Sequence, residues 1–143
     1  INALTFGALQ NNLITVFGGN QIRPNLTMHD MIKSYKFSLR RKYKKNRNIN
    51  DTIFNLGFEN LTIIKMAKEI KKIIKSNPKI LIKSSNDPRS YRQNSDRIIR
   101  KGFKPSKNIK DAIQEIKDKF FEKKITKKDN FYRVNTLKMI KAK

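Results

Sequence analysis

Two extended segments joined by a glycine-rich turn lie near the start of the chain, where residues 13–24 read LITVFGGNQIRP. The β-branched and apolar residues at 13–17 favour a strand, and Gly18-Gly19-Asn20 is typical of a turn that ends one. A second extended piece follows at residues 22–28. The pattern therefore predicts a β-hairpin at this position.

Helices are predicted on both sides of this hairpin. The apolar residues within 2–11 are typical of the last part of a helix, and Asn11-Asn12 marks a turn. His29-Asp30 is expected to cap a helix that runs through Leu39, and this pair is interpreted as a helix start rather than a catalytic dyad. The dense basic run at residues 40–47 is most simply a solvated helix end and loop.

The residue pattern in the middle of the chain predicts a strand, a loop, a helix and a further strand. Residues 52–56 are expected to form a strand and residues 57–61 a short loop. Thr62 is a predicted N-cap for a helix over residues 63–75, which carries an apolar stripe at the spacing of one helical face. Residues 79–83 are then predicted to form a short buried strand.

The residue pattern in the last part of the chain predicts two more helices. Residues 84–88 are interpreted as a loop and residues 89–93 as an extended piece. Ser95 is a candidate cap for a short helix that ends at Gly102. The apolar spacing over residues 109–120 predicts a final amphipathic helix.

Length and composition exclude several classes of protein. A chain of 143 residues suits one small domain, and with no cysteine and one histidine it holds neither disulfides, nor thiolate metal sites, nor a multi-histidine zinc site. No apolar run reaches the length of a membrane span, and the first residues lack the basic part of a secretion signal. We therefore expect a cytoplasmic protein without a membrane partner.

The net charge of +23 raises the question of nucleic-acid binding. However, 25 Lys, 20 Ile and 16 Asn residues are enriched together, and their codons share a high A and T content. Selection for phosphate contacts would raise Lys and Arg without raising Ile, so coding bias is the better explanation. A non-catalytic basic module that binds nucleic acid or an acidic partner is retained as the alternative function.

A tandem order of short motifs distinguishes this sequence more than any one of them does. The motifs are ITVFGGNQIRP (14–24), MHDM (28–31), FNLG (54–57), NDPRSYR (86–92), KGFKP (101–105) and DAI (111–113). In this order they resemble the carboxy-terminal part of an NAD-dependent epimerase/dehydratase, a nucleotide-sugar enzyme of the extended short-chain dehydrogenase/reductase superfamily. The resemblance covers nearly the whole chain, from Asn2 to about Phe121.

The resemblance implies an α/β fold of mixed helices and short strands from which the Rossmann core is missing. Residues 1–128 would form the carboxy-terminal substrate-binding region for a nucleotide-diphosphate sugar, and residues 129–143 a basic tail. NAD would be bound by an amino-terminal domain outside this chain, and the full-length protein would be a homodimer. Apolar surface on the helices at 3–9 and 31–39 would then be exposed in this chain alone.

The resemblance also implies that the chemistry belongs to the absent part. In the family a Tyr-x-x-x-Lys pair beside the nicotinamide performs acid/base catalysis while NAD oxidises a sugar hydroxyl and later returns the hydride. The four tyrosines of this chain are followed at that spacing by Leu39, Arg47, Ser95 and Thr136. No catalytic residue is therefore assigned, and the chain alone is expected to be inactive.

Two arginines are the physical candidates for binding a diphosphate. A guanidinium group offers a planar fork of donors that matches phosphate oxygens. Arg23 and Arg89 each lie beside a proline, which restricts the backbone that carries the long side chain. An ordinary surface role for Arg23, and a surface ion pair of Arg89 with Asp87, remain as alternatives.

The resemblance extends the candidate site to six residues. It implies that Arg23 contacts the nucleotide, that Thr15 and Phe17 line the base, and that Asn2 reaches the diphosphate region. Arg89 and Tyr91 would lie in a late loop that closes over the nucleotide, although this Asp-Pro-Arg-Ser-Tyr form departs from the more common arginine-then-aspartate pattern. Thr15 and Phe17 have packing within the strand as their alternative role.

Overall fold

The computed structural model describes residues 1–40 and 52–125 and contains, within them, five helices and four short strands. This confirms the mixed α/β expectation. In chain order the elements are α1 (Asn2–Asn11), β1 (Leu13–Phe17), β2 (Ile22–Asn25), α2 (Met28–Arg40), β3 (Glu59–Thr62), α3 (Ile63–Ile73), β4 (Lys79–Lys83), α4 (Asp96–Arg100) and α5 (Ile109–Phe121).

The predicted hairpin is wrong, because β1 and β2 belong to different sheets. β1 pairs in parallel with β4, and β2 pairs antiparallel with β3. Gly18 and Gly19 between them adopt φ values of +73° and +118°, which L side chains rarely adopt. The Gly18 N–H donates to the Lys83 carbonyl, and the Gly19 carbonyl accepts from the N–H of Ile64. The turn therefore directs the chain from one sheet to the other instead of reversing it.

The main core lies where α1, α3 and α5 pack around β1. The predicted stripe of α3 is confirmed, since Met66, Ala67 and Ile70 are buried, and the Thr62 hydroxyl accepts from the Lys65 N–H as the predicted cap. The predicted final helix is also confirmed as α5, which begins with a capping box between Asn108 and Asp111. The buried cluster contains Ala8, Ile14, Val16, Met66, Ala67, Ile70, Ile74, Ile109 and Ile113.

The strand assignments after α2 need two corrections. Residues 52–56 form no strand, and β3 lies instead at Glu59–Thr62, of which the first three residues fall within the loop predicted at 57–61. The register with β2, in which Ile22 faces Thr62 and Asn25 faces Glu59, selects that segment. Residues 79–83 do form β4, but four of its five residues are exposed, so the predicted burial is wrong. Within the described ranges β4 pairs only with β1, which leaves its other edge uncovered.

The role of Ser95 before α4 differs from expectation. Residues 89–93, expected to be extended, belong to no strand. Ser95 precedes α4 as predicted, but its hydroxyl does not cap the helix. Ser95 Oγ instead accepts from the Gly57 N–H at 2.9 Å and donates to the Gly57 carbonyl at 3.3 Å. A buried serine therefore joins α4 to the segment that leads into β3.

Asp30 does not cap α2. The helix begins at Met28, and the preceding Thr27 hydroxyl accepts from the Asp30 N–H at 3.1 Å. The buried Asp30 carboxylate accepts instead from the backbone N–H groups of Ser106 and Lys107, each at 3.0 Å, and from the Ser106 hydroxyl. Asp30 thus attaches the loop before α5 to the first turn of α2.

No helix in the described part of the chain is long and apolar enough to cross a membrane. The basic run beyond Arg40 lies outside the described residues, and so do the proposed boundary at residue 128 and the basic tail at 129–143.

Candidate functional site

Arg23, on β2, is held in place by several contacts. Its Nη1 donates to the Ile22 carbonyl at 3.1 Å and to the Arg89 carbonyl, and its Nη2 donates to Asp87 Oδ2 at 3.3 Å. The guanidinium carbon lies 5.2 Å from the centre of the Tyr91 ring, within the range of a cation–π interaction. With 22% of its side chain exposed, Arg23 is a fixed, half-buried cation.

Asp87 is the carboxylate at the centre of this arrangement. Its Oδ1 accepts from the Arg89 backbone N–H at 3.1 Å and from Nε at 2.7 Å, while Oδ2 accepts from Arg89 Nη2 at 2.8 Å. The Arg89 side-chain and backbone hydrogen bonds, with the charges of Arg89 and Arg23, lower the pKa of Asp87 to about 2. The carboxylate is therefore ionised at neutral pH. The Asp87–Arg89 pair considered from the sequence is confirmed, and Arg23 joins it.

Backbone and side-chain hydrogen bonds attach the late loop, which contains residues 87–91, to β2 and to the turn before it. The Ile22 N–H donates to Ser90 Oγ at 3.0 Å, and the Tyr91 N–H donates to the Ile22 carbonyl at 3.2 Å. Gln21 accepts from the Gly19 N–H through Oε1 and contacts the Asp87 carbonyl through Nε2 at 3.4 Å. These bonds bring together two segments that lie 66 positions apart at Arg23 and Arg89.

A cavity of about 360 Å³ lies beside Arg23 and is also lined by Thr15 and Phe17. Thr15 and Phe17 lie on one face of β1, because side chains alternate along a strand, while Ile14 and Val16 on the other face are buried in the core. Phe17 is 55% exposed. Both residues thus lie at an accessible surface, which argues against packing within the core as their only role.

The other five predicted site residues are distributed around Arg23 in three ways. Thr15 and Phe17 line the same cavity as Arg23, and Arg89 and Tyr91 contact Arg23 directly. Asn2, exposed at the start of α1, lines an adjoining groove of about 580 Å³ that shares Ile1, Pro24 and Asn25 with the cavity. The candidate residues from the strands and from the late loop therefore come together at Arg23.

Two polar residues were missed by sequence reasoning. Gln21 and Ser90 join the turn after β1 to the late loop, as described above. Gln21 lies inside the motif at residues 14–24 and Ser90 inside the motif at residues 86–92. This position is the only sequence signal that they belong to the site. Their role depends on a partner in a distant segment, which local sequence does not reveal.

The arrangement is suited to anion binding. Two guanidinium groups meet one carboxylate, so the group of three carries a net positive charge, and Arg89 is 76% exposed. In residues 1–40 and 52–125 no cluster of three or more His, Cys, Asp or Glu residues could hold a metal ion. No protein-family model matches the chain.

Proposed function

We propose that this chain is the nucleotide-sugar-binding portion of an NAD-dependent sugar epimerase/dehydratase of the extended short-chain dehydrogenase/reductase superfamily. The observation that carries the proposal is the convergence on Arg23. Two residues assigned to the base line the same cavity as Arg23, and two assigned to the late loop contact Arg23 directly, although these pairs come from different segments. An arginine that served only as surface charge would not require this convergence.

The geometry suggests how the parts of the ligand would be divided. The diphosphate would bind at the guanidinium groups of Arg23 and Arg89, which match phosphate oxygens in shape and charge. The nucleoside would occupy the cavity lined by Thr15 and Phe17, where the exposed Phe17 ring offers an apolar surface for a base. The sugar would then extend toward the NAD-binding part of the protein.

An exposed apolar face on α2 supports the proposal that this chain works together with an NAD-binding part. Met28, Ile32, Tyr35 and Leu39 recur every three or four residues along one side of the helix and are 49–84% exposed. We infer that the dinucleotide-binding part covers this face. The similar expectation for α1 is wrong, because Thr5 and Ala8 are buried and α1 packs against α5 within this chain.

The coding DNA ahead of residue 1 tests this inference directly. An in-frame glycine-rich β-α-β segment followed by a Tyr-x-x-x-Lys motif is the expected result. A stop codon with a nearby start would contradict the proposal that NAD is bound by a preceding part of the same protein.

Arg23→Ala tests the ligand site. Loss of one charge-assisted fork is expected to weaken UDP binding by about 10-fold or more, measured by titration calorimetry on the full chain, with GDP as a second nucleotide. Arg100→Ala, which removes an equal charge from the exposed end of α4, is the matched control and should bind as the unaltered chain does.

The same titrations separate the two functions. Equal binding by Arg23→Ala and the unaltered chain would remove Arg23 from the site. If an oligonucleotide binds instead, with an affinity that falls linearly with log salt and decreases equally in Arg23→Ala and Arg100→Ala, the basic-module alternative is supported.

The face of α2 has its own test. The chain alone is expected to self-associate through this face, and the double variant Ile32→Glu with Leu39→Glu should reduce the associated fraction severalfold in sedimentation velocity. Ile32 is 49% and Leu39 84% exposed, so we expect circular dichroism to show that the fold is retained. Undiminished association of this variant would show that another surface is responsible.

A further inference from the structure

We propose that Asp87 is an internal competitor for the ligand's phosphate groups, because its carboxylate occupies the guanidinium donors that a diphosphate would use. This inference rests on the proposed function and adds a residue that tunes ligand affinity. It starts from the geometry: Asp87 binds Arg89 through both oxygens and Arg23 through one. A carboxylate and a phosphate present similar pairs of oxygens to a guanidinium fork.

The two arginines differ in how easily they could exchange partners. Arg23 is 22% exposed and is additionally held by the carbonyls of Ile22 and Arg89 and by the ring of Tyr91. Arg89 is 76% exposed, and all of its side-chain hydrogen bonds within the described residues go to Asp87. Arg23 is thus the stationary binding group, and Arg89 is the group that turns from Asp87 to the ligand.

The energetics permit this exchange. An exposed ion pair contributes little, because water and salt screen it. A diphosphate carries more negative charge than one carboxylate, so it attracts the two arginines more strongly. Asp87 leaves by displacement rather than by protonation, since its pKa of about 2 keeps it charged at neutral pH.

Asp87 also affects the neighbouring guanidinium group. Its hydrogen bonds and its charge raise the pKa of Arg89. Dicarbonyl reagents such as phenylglyoxal attack the neutral form of a guanidine group. The Asp87 contact should therefore slow modification of Arg89, and this effect can be measured without any nucleotide.

Asp87→Asn is the test variant, because it keeps the side-chain size and removes the charge. We expect phenylglyoxal to label Arg89 about 3-fold faster or more, read by peptide mass spectrometry, and we expect UDP and inorganic pyrophosphate to bind about 3- to 10-fold more tightly. Asp96→Asn, on exposed α4, makes the same change of charge and should alter neither result.

The outcomes separate this inference from the proposed function. Weaker or unchanged binding of pyrophosphate by Asp87→Asn would overturn the competition, and weaker binding would make Asp87 a positioning residue for the arginines. Unchanged labelling of Arg89 would also overturn it. If pyrophosphate binds Asp87→Asn more tightly but no nucleoside diphosphate binds better than pyrophosphate, the competition stands and the nucleotide-sugar function fails.

Discussion

Phe103→Ala is expected to lower the free energy of unfolding by about 3–5 kcal/mol, because it removes a large buried ring and leaves a cavity. Phe103 is 2% exposed. Its ring stacks on Phe58 with centroids 5.4 Å apart and meets Phe37 edge-on at 5.5 Å. Urea unfolding of the full chain, followed by circular dichroism, measures the change.

Phe121→Ala provides the matched control for Phe103. Phe121 ends α5 and is 67% exposed, so loss of its ring should change the free energy of unfolding by less than about 1 kcal/mol. Equal losses of unfolding free energy in the two variants would contradict the stabilising role of the buried Phe103 ring against Phe58 and Phe37.

Asp30→Ala is expected to lower the free energy of unfolding by about 2–4 kcal/mol, because buried donors would lose their acceptor. Asp30 is fully buried and accepts from two backbone N–H groups and one hydroxyl in the loop at residues 106–107. Ser106→Ala removes only the hydroxyl and should lower the free energy of unfolding much less. A loss for Asp30→Ala no larger than that for Ser106→Ala would contradict the attachment.

The contribution of Asp30 should also depend on pH. Burial opposes ionisation, but hydrogen bonds from Lys107 and Ser106, with the charge of Lys33, lower the pKa of Asp30 below its ordinary 3.8. A carboxylate with a lowered folded-state pKa stabilises the protein above pH 3.8, and this stability is lost as the pH falls through the folded value. The difference in free energy of unfolding between the unaltered chain and Asp30→Asn should therefore become smaller below about pH 4. A difference that stays constant with pH would contradict this expectation.

The candidate site was predictable in its parts but not in its assembly. Arg23 and Arg89 could be selected from sequence because each lies in or beside a loop, next to a proline. The sequence could not predict that the two arginines share the Asp87 carboxylate. The hydrogen bonds that join β2 to the late loop connect residues far apart in the chain. The adjoining cavity likewise combines residues of β1 and β2, which belong to different sheets.

The sequence by itself determined the elements whose signals are local. The helices α3 and α5 follow from apolar periodicity, and α3 also from its cap at Thr62, since helix hydrogen bonds join residues only four apart. Tertiary structure alone decided which strands pair, where β3 lies, and that Asp30 accepts from a loop 76 positions away instead of capping its own helix. Strand pairing and buried carboxylates depend on distant partners, and a local pattern contains no record of them.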